Sequence, residues 1–133
     1  MTYKTILYSV EGGVAKVIFN RADAGHSINR EFAHEFMNVA IEATTDKDVK
    51  CILISAKGSM YSFGGDLKFF STEMDKIEST LLELTAVLHQ GIQRIIITIT
   101  ILIKNTVTRK KITRKTKVLT ITIIQKIIQH DAI

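Results

Sequence analysis

Gly64-Gly65-Asp66 lies within Lys57-Gly-Ser-Met-Tyr-Ser-Phe-Gly-Gly-Asp-Leu-Lys-Phe-Phe70, between an apolar run and residues able to open a helix. A chain that breaks at paired glycines and restarts as a helix turns backbone N–H groups outward, where they can hold an anion or a developing oxyanion. Gly64 and Gly65 carry no Cβ, so the backbone can take unusual angles and a ligand can come close. The same tripeptide after a strand also makes an ordinary turn. Other residue types with chemical reach offer less. His34 and His89 fall on helical segments with no second ligand at a useful offset, so they read as surface histidines, and no metal site is expected. Cys51, the one cysteine, sits inside the apolar run Cys51-Ile-Leu-Ile-Ser55, where it is expected to pack as a small hydrophobe.

The elements that position the glycine turn follow from patterning. Tyr3 to Glu11 and Val14 to Asn20 are strand-like runs joined by Gly12-Gly13, which suits a tight hairpin. Residues 21 to 28 lack periodicity and read as a loop. Phe32, Phe36, Met37, Ala40 and Ile41 recur at helical spacing, which predicts a helix from about 29 to 44, with Ser27 or Asn29 as cap and Glu31 in the first turn. Val49 to Ser55 returns as a buried strand, so strand, helix and strand form a right-handed parallel crossover. Beyond the glycine turn, Ile77, Leu81, Leu84, Leu88 and Ile92 predict a second amphipathic helix within Met74 to Arg94.

Four stretches in order carry a resemblance. Tyr61-Ser-Phe-Gly-Gly-Asp-Leu-Lys68 resembles the Phe-Ser-Ala-Gly-Ala-Asp-Leu-Lys signature of the crotonase superfamily, the enoyl-CoA hydratases and isomerases. Val14-Ala-Lys-Val-Ile-Phe-Asn-Arg21 looks like that family's second strand, and Asp23-Ala-Gly-His-Ser-Ile-Asn29 stands where the family has its coenzyme A loop. Asp46-Lys-Asp-Val-Lys50 is similar to the lead-in to its third strand. The resemblance covers roughly residues 3 to 94. It implies an α/β fold, an incomplete crotonase-like ββαβα spiral, acting on acyl-CoA thioesters with coenzyme A as part of the substrate and no separate cofactor.

By the same resemblance the thioester carbonyl would lie between two backbone N–H groups that stabilise an enolate, and the first of them corresponds to Gly65. The positions matching coenzyme A contacts are Asp23, Ala24 and Gly25 on the first loop, with Phe63, Gly65, Asp66, Leu67 and Lys68 on the second. Asp66 is expected to cap the following helix rather than move a proton. The second donor and the proton-handling glutamates would follow residue 94, yet no glycine lies beyond Gly91 and the one carboxylate side chain after Glu83 is Asp131. This chain is therefore expected to have little turnover. Ala22 replaces a usual proline and His26-Ser27 an Asn-Ala, while Phe63 with its following residues is similar to the variant in synthases of unsaturated fatty-acid signals. Full-length family members are commonly homo-oligomers, and that is carried over as an expectation.

Composition divides the chain at residue 95. The last 39 residues hold 13 Ile, 8 Thr, 6 Lys and 2 Arg with no Gly or Pro, a basic tail on a slightly acidic body. Ile, Thr and Lys share adenine- and thymine-rich codons, so residues 95–133 read as an aberrant tail such as a frameshift yields, after a truncated domain at 1–94. Ile95 to Ile103 and residues 118 to 128 are strand-prone, and the tail is expected to be irregular, without fixed packing, and prone to aggregate. Ile95 to Ile103 is too short to span a bilayer as a helix. The N-terminus lacks the pattern of a signal peptide, so a cytoplasmic location and no membrane partner are expected. An alternative from another class is a non-catalytic binding or assembly module with a basic tail. No aromatic residue interleaves the charges of Arg109 to Lys117, so specific nucleic-acid binding is not expected.

Overall fold

A computed structural model describes residues 2–109, and side chains through residue 101. Three strands, β1 (Ile6–Glu11), β2 (Val14–Phe19) and β3 (Cys51–Ala56), form one sheet in the order β1-β2-β3. The hairpin β1-β2 is antiparallel, pairing Ile6 with Phe19 and Glu11 with Val14. Strand β3 lies parallel to β2, with Val14 opposite Cys51 and Phe19 opposite Ala56. A parallel pair needs a crossover, and α1 (Arg30–Thr45) supplies it. Helix α2 (Leu67–Thr72), a 3-10 turn at Met74–Lys76 and α3 (Ile77–Arg109) follow.

Alternation along the strands sends Ile6, Ala15, Val17, Phe19 and Ile52 to one face, where they meet Phe32, Phe36, Val39, Ala40 and Ala43 of α1. Phe19 meets Phe32 edge-on with ring centroids 4.9 Å apart. Asn29 caps α1, its Oδ1 accepting the Phe32 N–H at 2.9 Å, as its residue type predicts. Glu35 of α1 reaches back to the start of β1 and accepts the N–H groups of Lys4 and Thr5, both at 2.8 Å. Burial raises the Tyr3 hydroxyl pKa, and its hydrogen bond to Glu42 of α1 adds to the shift.

Helix α3 runs alongside α1 in the same direction. Arg30 donates to Glu83 at 3.1 Å, a Cβ on Gly91 would fall 2.9 Å from the Phe36 ring, and Arg94 donates to Thr44 at 2.8 Å. Arg30 also donates to Glu73 at 3.1 Å and lies over the Phe69 ring, which braces α1, α2 and α3 together.

Three expectations are corrected. Cys51 is exposed, and with Leu53 it faces away from α1, so β3 is buried on one face only. Residues 95–103 are helix rather than strand. A helix already nucleated extends at the small cost of one residue per bond, and that propagation outweighs the β preference of Ile and Thr. Ile95 is 4% exposed within the core, and Ile99 packs against it, so fixed packing reaches past residue 94. The chain divides into two units, one of them compact over Met1–Ile99 and the other beginning at Thr100. In the second, residues 100–109 are helical, and the strand expected at 118 to 128 lies outside the described residues. By length and composition alone Met74–Ile101 could cross a membrane. Leu84 and Ile95 of this segment are buried, while Leu82, Ile97 and Ile101 are exposed.

Candidate functional site

Two loops meet at the end of β2. The first leaves Phe19 through Asn20 and Arg21, makes a 3-10 turn at Ala22–Ala24 and reaches the α1 cap at Asn29. The second leaves β3 at Ala56 and ends at Asp66, the cap of α2. They are joined by a parallel bridge between Ile28 and Gly65. The Ile28 N–H donates to Gly64 C=O at 2.7 Å, and the Asp66 N–H donates to Ile28 C=O at 3.0 Å.

That bridge fixes where the Gly65 amide points. The peptide joining Gly64 to Gly65 is planar and trans, so its C=O and N–H project in opposite directions. With the carbonyl held by Ile28, the Gly65 N–H is turned away from the first loop, and Gly65 is exposed. Gly64 holds φ at +84°, a conformation that a side chain would strain.

Every carbonyl from Gly25 to Ile28 is engaged. Gly25 C=O accepts the Phe63 N–H at 3.0 Å, His26 C=O the Ser62 hydroxyl at 2.9 Å, Ser27 C=O the Arg21 guanidinium, and Ile28 C=O the Asp66 amide. Gly25 permits the close approach. At φ +57° it lies under the Phe63 ring, which a Cβ there would meet at 2.0 Å.

Arg21 and Asp66 form an ion pair at 2.9 Å with side chains 19% and 11% exposed. Asp66 Oδ1 also accepts the Phe69 N–H at 3.0 Å, the helix cap expected of it. Burial pushes the Asp66 carboxyl up, but the Phe69 amide, Arg21 and Ser27 together outweigh it and hold the group below its ordinary range. His26 is wholly buried at φ +51°. Its Nδ1 accepts the Arg21 backbone N–H at 3.1 Å and its Nε2 lies 2.8 Å from Lys57 C=O. An amide can only donate and a carbonyl only accept, so the ring is the neutral tautomer carrying its proton on Nε2.

Of the residues marked from sequence, Gly25, Phe63, Gly65 and Asp66 meet in one seam. Asp23, Leu67 and Lys68 stand exposed and Ala24 half-buried beside it. Phe63 is 68% exposed and Leu67 79%, an apolar rim at the start of α2. Sequence reasoning assigned no role to Arg21, His26 or Ser62. Arg21 was quotable as the end of the second strand, but only folding reveals that it crosses to Asp66, 45 residues away. His34 and His89 are exposed, His34 bonding Glu83 at 3.1 Å.

The sequence profile of the enoyl-CoA hydratase/isomerase family matches residues 9–120, past the change in composition at residue 95. Over 67 residues the chain is 37% identical to a trans-2-decenoyl-[acyl-carrier-protein] isomerase of Streptococcus mutans, a span of 50% of this chain and 26% of that protein. Over 69 residues it is 33% identical to human enoyl-CoA delta isomerase 2, covering 52% of this chain and 17% of that one. An enoyl-CoA hydratase structure from Shewanella pealeana superposes on 67% of this chain with a TM-score of 0.61 at 19% identity, and 34% of that chain is covered. This chain thus spans about a third or less of these proteins.

Proposed function

The chain belongs to the enoyl-CoA hydratase/isomerase family, and from that premise we propose that its two bridged loops form the thioester-holding part of an acyl-CoA site. The Gly65 N–H is one donor to the thioester carbonyl oxygen. Asp23, Ala24, Gly25, Phe63, Asp66, Leu67 and Lys68 line the path of coenzyme A, which arrives as part of the substrate. The observation that carries this reading is the Ile28–Gly65 bridge, because it turns a glycine amide away from the first loop at an exposed position. A donor so placed stabilises the enolate oxygen formed when charge moves onto the carbonyl, by about 3 kcal/mol for a preorganised N–H.

The full reaction needs more than one donor. Hydration or isomerisation also requires a group that takes and returns a proton. Asp66 is committed to Arg21 and to the α2 cap. No glycine follows Gly91, and Asp131 is the sole acidic side chain after Glu83. The 133-residue chain accordingly binds acyl-CoA and turns it over slowly. Calorimetry with crotonyl-CoA and a hydration assay on the purified chain test the two halves of this reading. Saturable binding with negligible hydration is expected. Turnover in the ordinary enzyme range, about 1 per second or faster, overturns the inactivity, and absence of binding overturns the site.

A further inference from the structure

We propose that Arg21 is the positioning residue for the Gly65 oxyanion donor, an assignment that rests on the acyl-thioester reading of the site. Its guanidinium reaches both sides of the seam. One terminal nitrogen donates to Ser27 C=O on the first loop and the other to Asp66 Oδ2 on the second at 2.9 Å. These two anchor residues, Ser27 and Asp66, each adjoin a partner of the Ile28–Gly65 bridge. The direction of the Gly65 N–H is set by the bond from Ile28 N–H to Gly64 C=O, so any sliding of one loop past the other re-aims the donor. A planar guanidinium with donors in a fixed fork resists that sliding in a way a single-point contact does not.

The surroundings leave Arg21 committed to this task. Its backbone N–H is held by the buried His26 ring, and its side chain is mostly buried. A carboxylate this enclosed is paired at a desolvation cost that simple helix capping does not require, since Asp66 Oδ1 alone makes the cap. The ion pair therefore couples the start of α2 to the first loop and holds the donor between them.

Carbon-13 NMR of crotonyl-CoA labelled at the thioester carbonyl, bound to the full chain, reports polarisation of that carbonyl directly. In the wild type the resonance should move downfield on binding. In Arg21→Met the displacement should fall by half or more and affinity should weaken about tenfold, the effect of one lost charged hydrogen bond. In Arg21→Lys, which keeps the charge but not the fork, the displacement should lie between the two. A wild-type chain that binds crotonyl-CoA with no displacement refutes the oxyanion reading and this assignment with it. Equal displacements in wild type and Arg21→Met refute the assignment alone. The ligand-free amide spectrum guards against loss of fold in Arg21→Met. In folded Arg21→Lys the Gly65 cross-peak should shift while that of Gly13, at the far end of β2, stays in place. Coincidence of the Gly65 peaks overturns the proposal.

Discussion

At the scale of single residues the site is an arrangement of main-chain groups held by two side chains, Arg21 and Asp66. This makes it sensitive to acid in a defined direction. The Asp66 carboxyl is held below its ordinary value of 3.8 in the folded chain. Its contribution to stability is therefore fully present above that value and is lost as pH falls through the lowered folded one. Wild type should lose resistance to urea as pH falls below about 4, where an unpaired aspartate protonates, and Asp66→Asn should lose less over the same interval. Parallel losses would place the acid sensitivity elsewhere. Asn keeps an oxygen for the Phe69 amide, so the comparison isolates the charge facing Arg21. The site was partly legible in sequence. Gly65 and Asp66 stand out because a paired-glycine turn before a helix restricts what they can do. Arg21 and His26 do not, because their roles come from partners far along the chain, Asp66 and Lys57.

At the scale of elements, periodicity was a dependable guide wherever one face met a core. The hairpin, α1 with its Asn29 cap, and β3 all stand within a few residues of their expected limits. Burial of β3 departs from expectation because an apolar run suggests cover on both faces, whereas Ile52 alone is buried and Leu53 is 48% exposed. Residues 95–103 differ from expectation for another reason. The preceding helix overrides their local β preference, and Leu84, Leu88, Ile92, Ile95 and Ile99 keep the same stripe in step across the change in composition. Ile95→Ala should accordingly cost about 2 to 4 kcal/mol of unfolding free energy, as for a buried aliphatic side chain. Ile97→Ala, at a position 55% exposed, should cost well under about 1 kcal/mol. Equal costs by urea titration would mean that α3 does not pack on the core past residue 94.

At the scale of the whole molecule, the sheet pairs β2 on both sides and leaves β1 and β3 as its outer strands among the described residues. Its face away from α1 shows Leu7 at 38% and Leu53 at 48% exposed, beside Cys51. Outer strands present unpaired N–H and C=O groups that recruit further strands. Sedimentation velocity should show association that grows with concentration beyond the dimer, and Leu53→Lys should hold it at the dimer. A single monomeric boundary at every concentration would contradict this. The pattern has a stoichiometric consequence. Described residues that leave two edges open make, in the language of polymer chemistry, a bifunctional monomer. Pairing of like edges consumes one from each molecule and leaves another free, so growth continues linearly. Disabling β3 alone leaves one functional edge per molecule, and assembly of the Leu53→Lys chain then terminates at the pair.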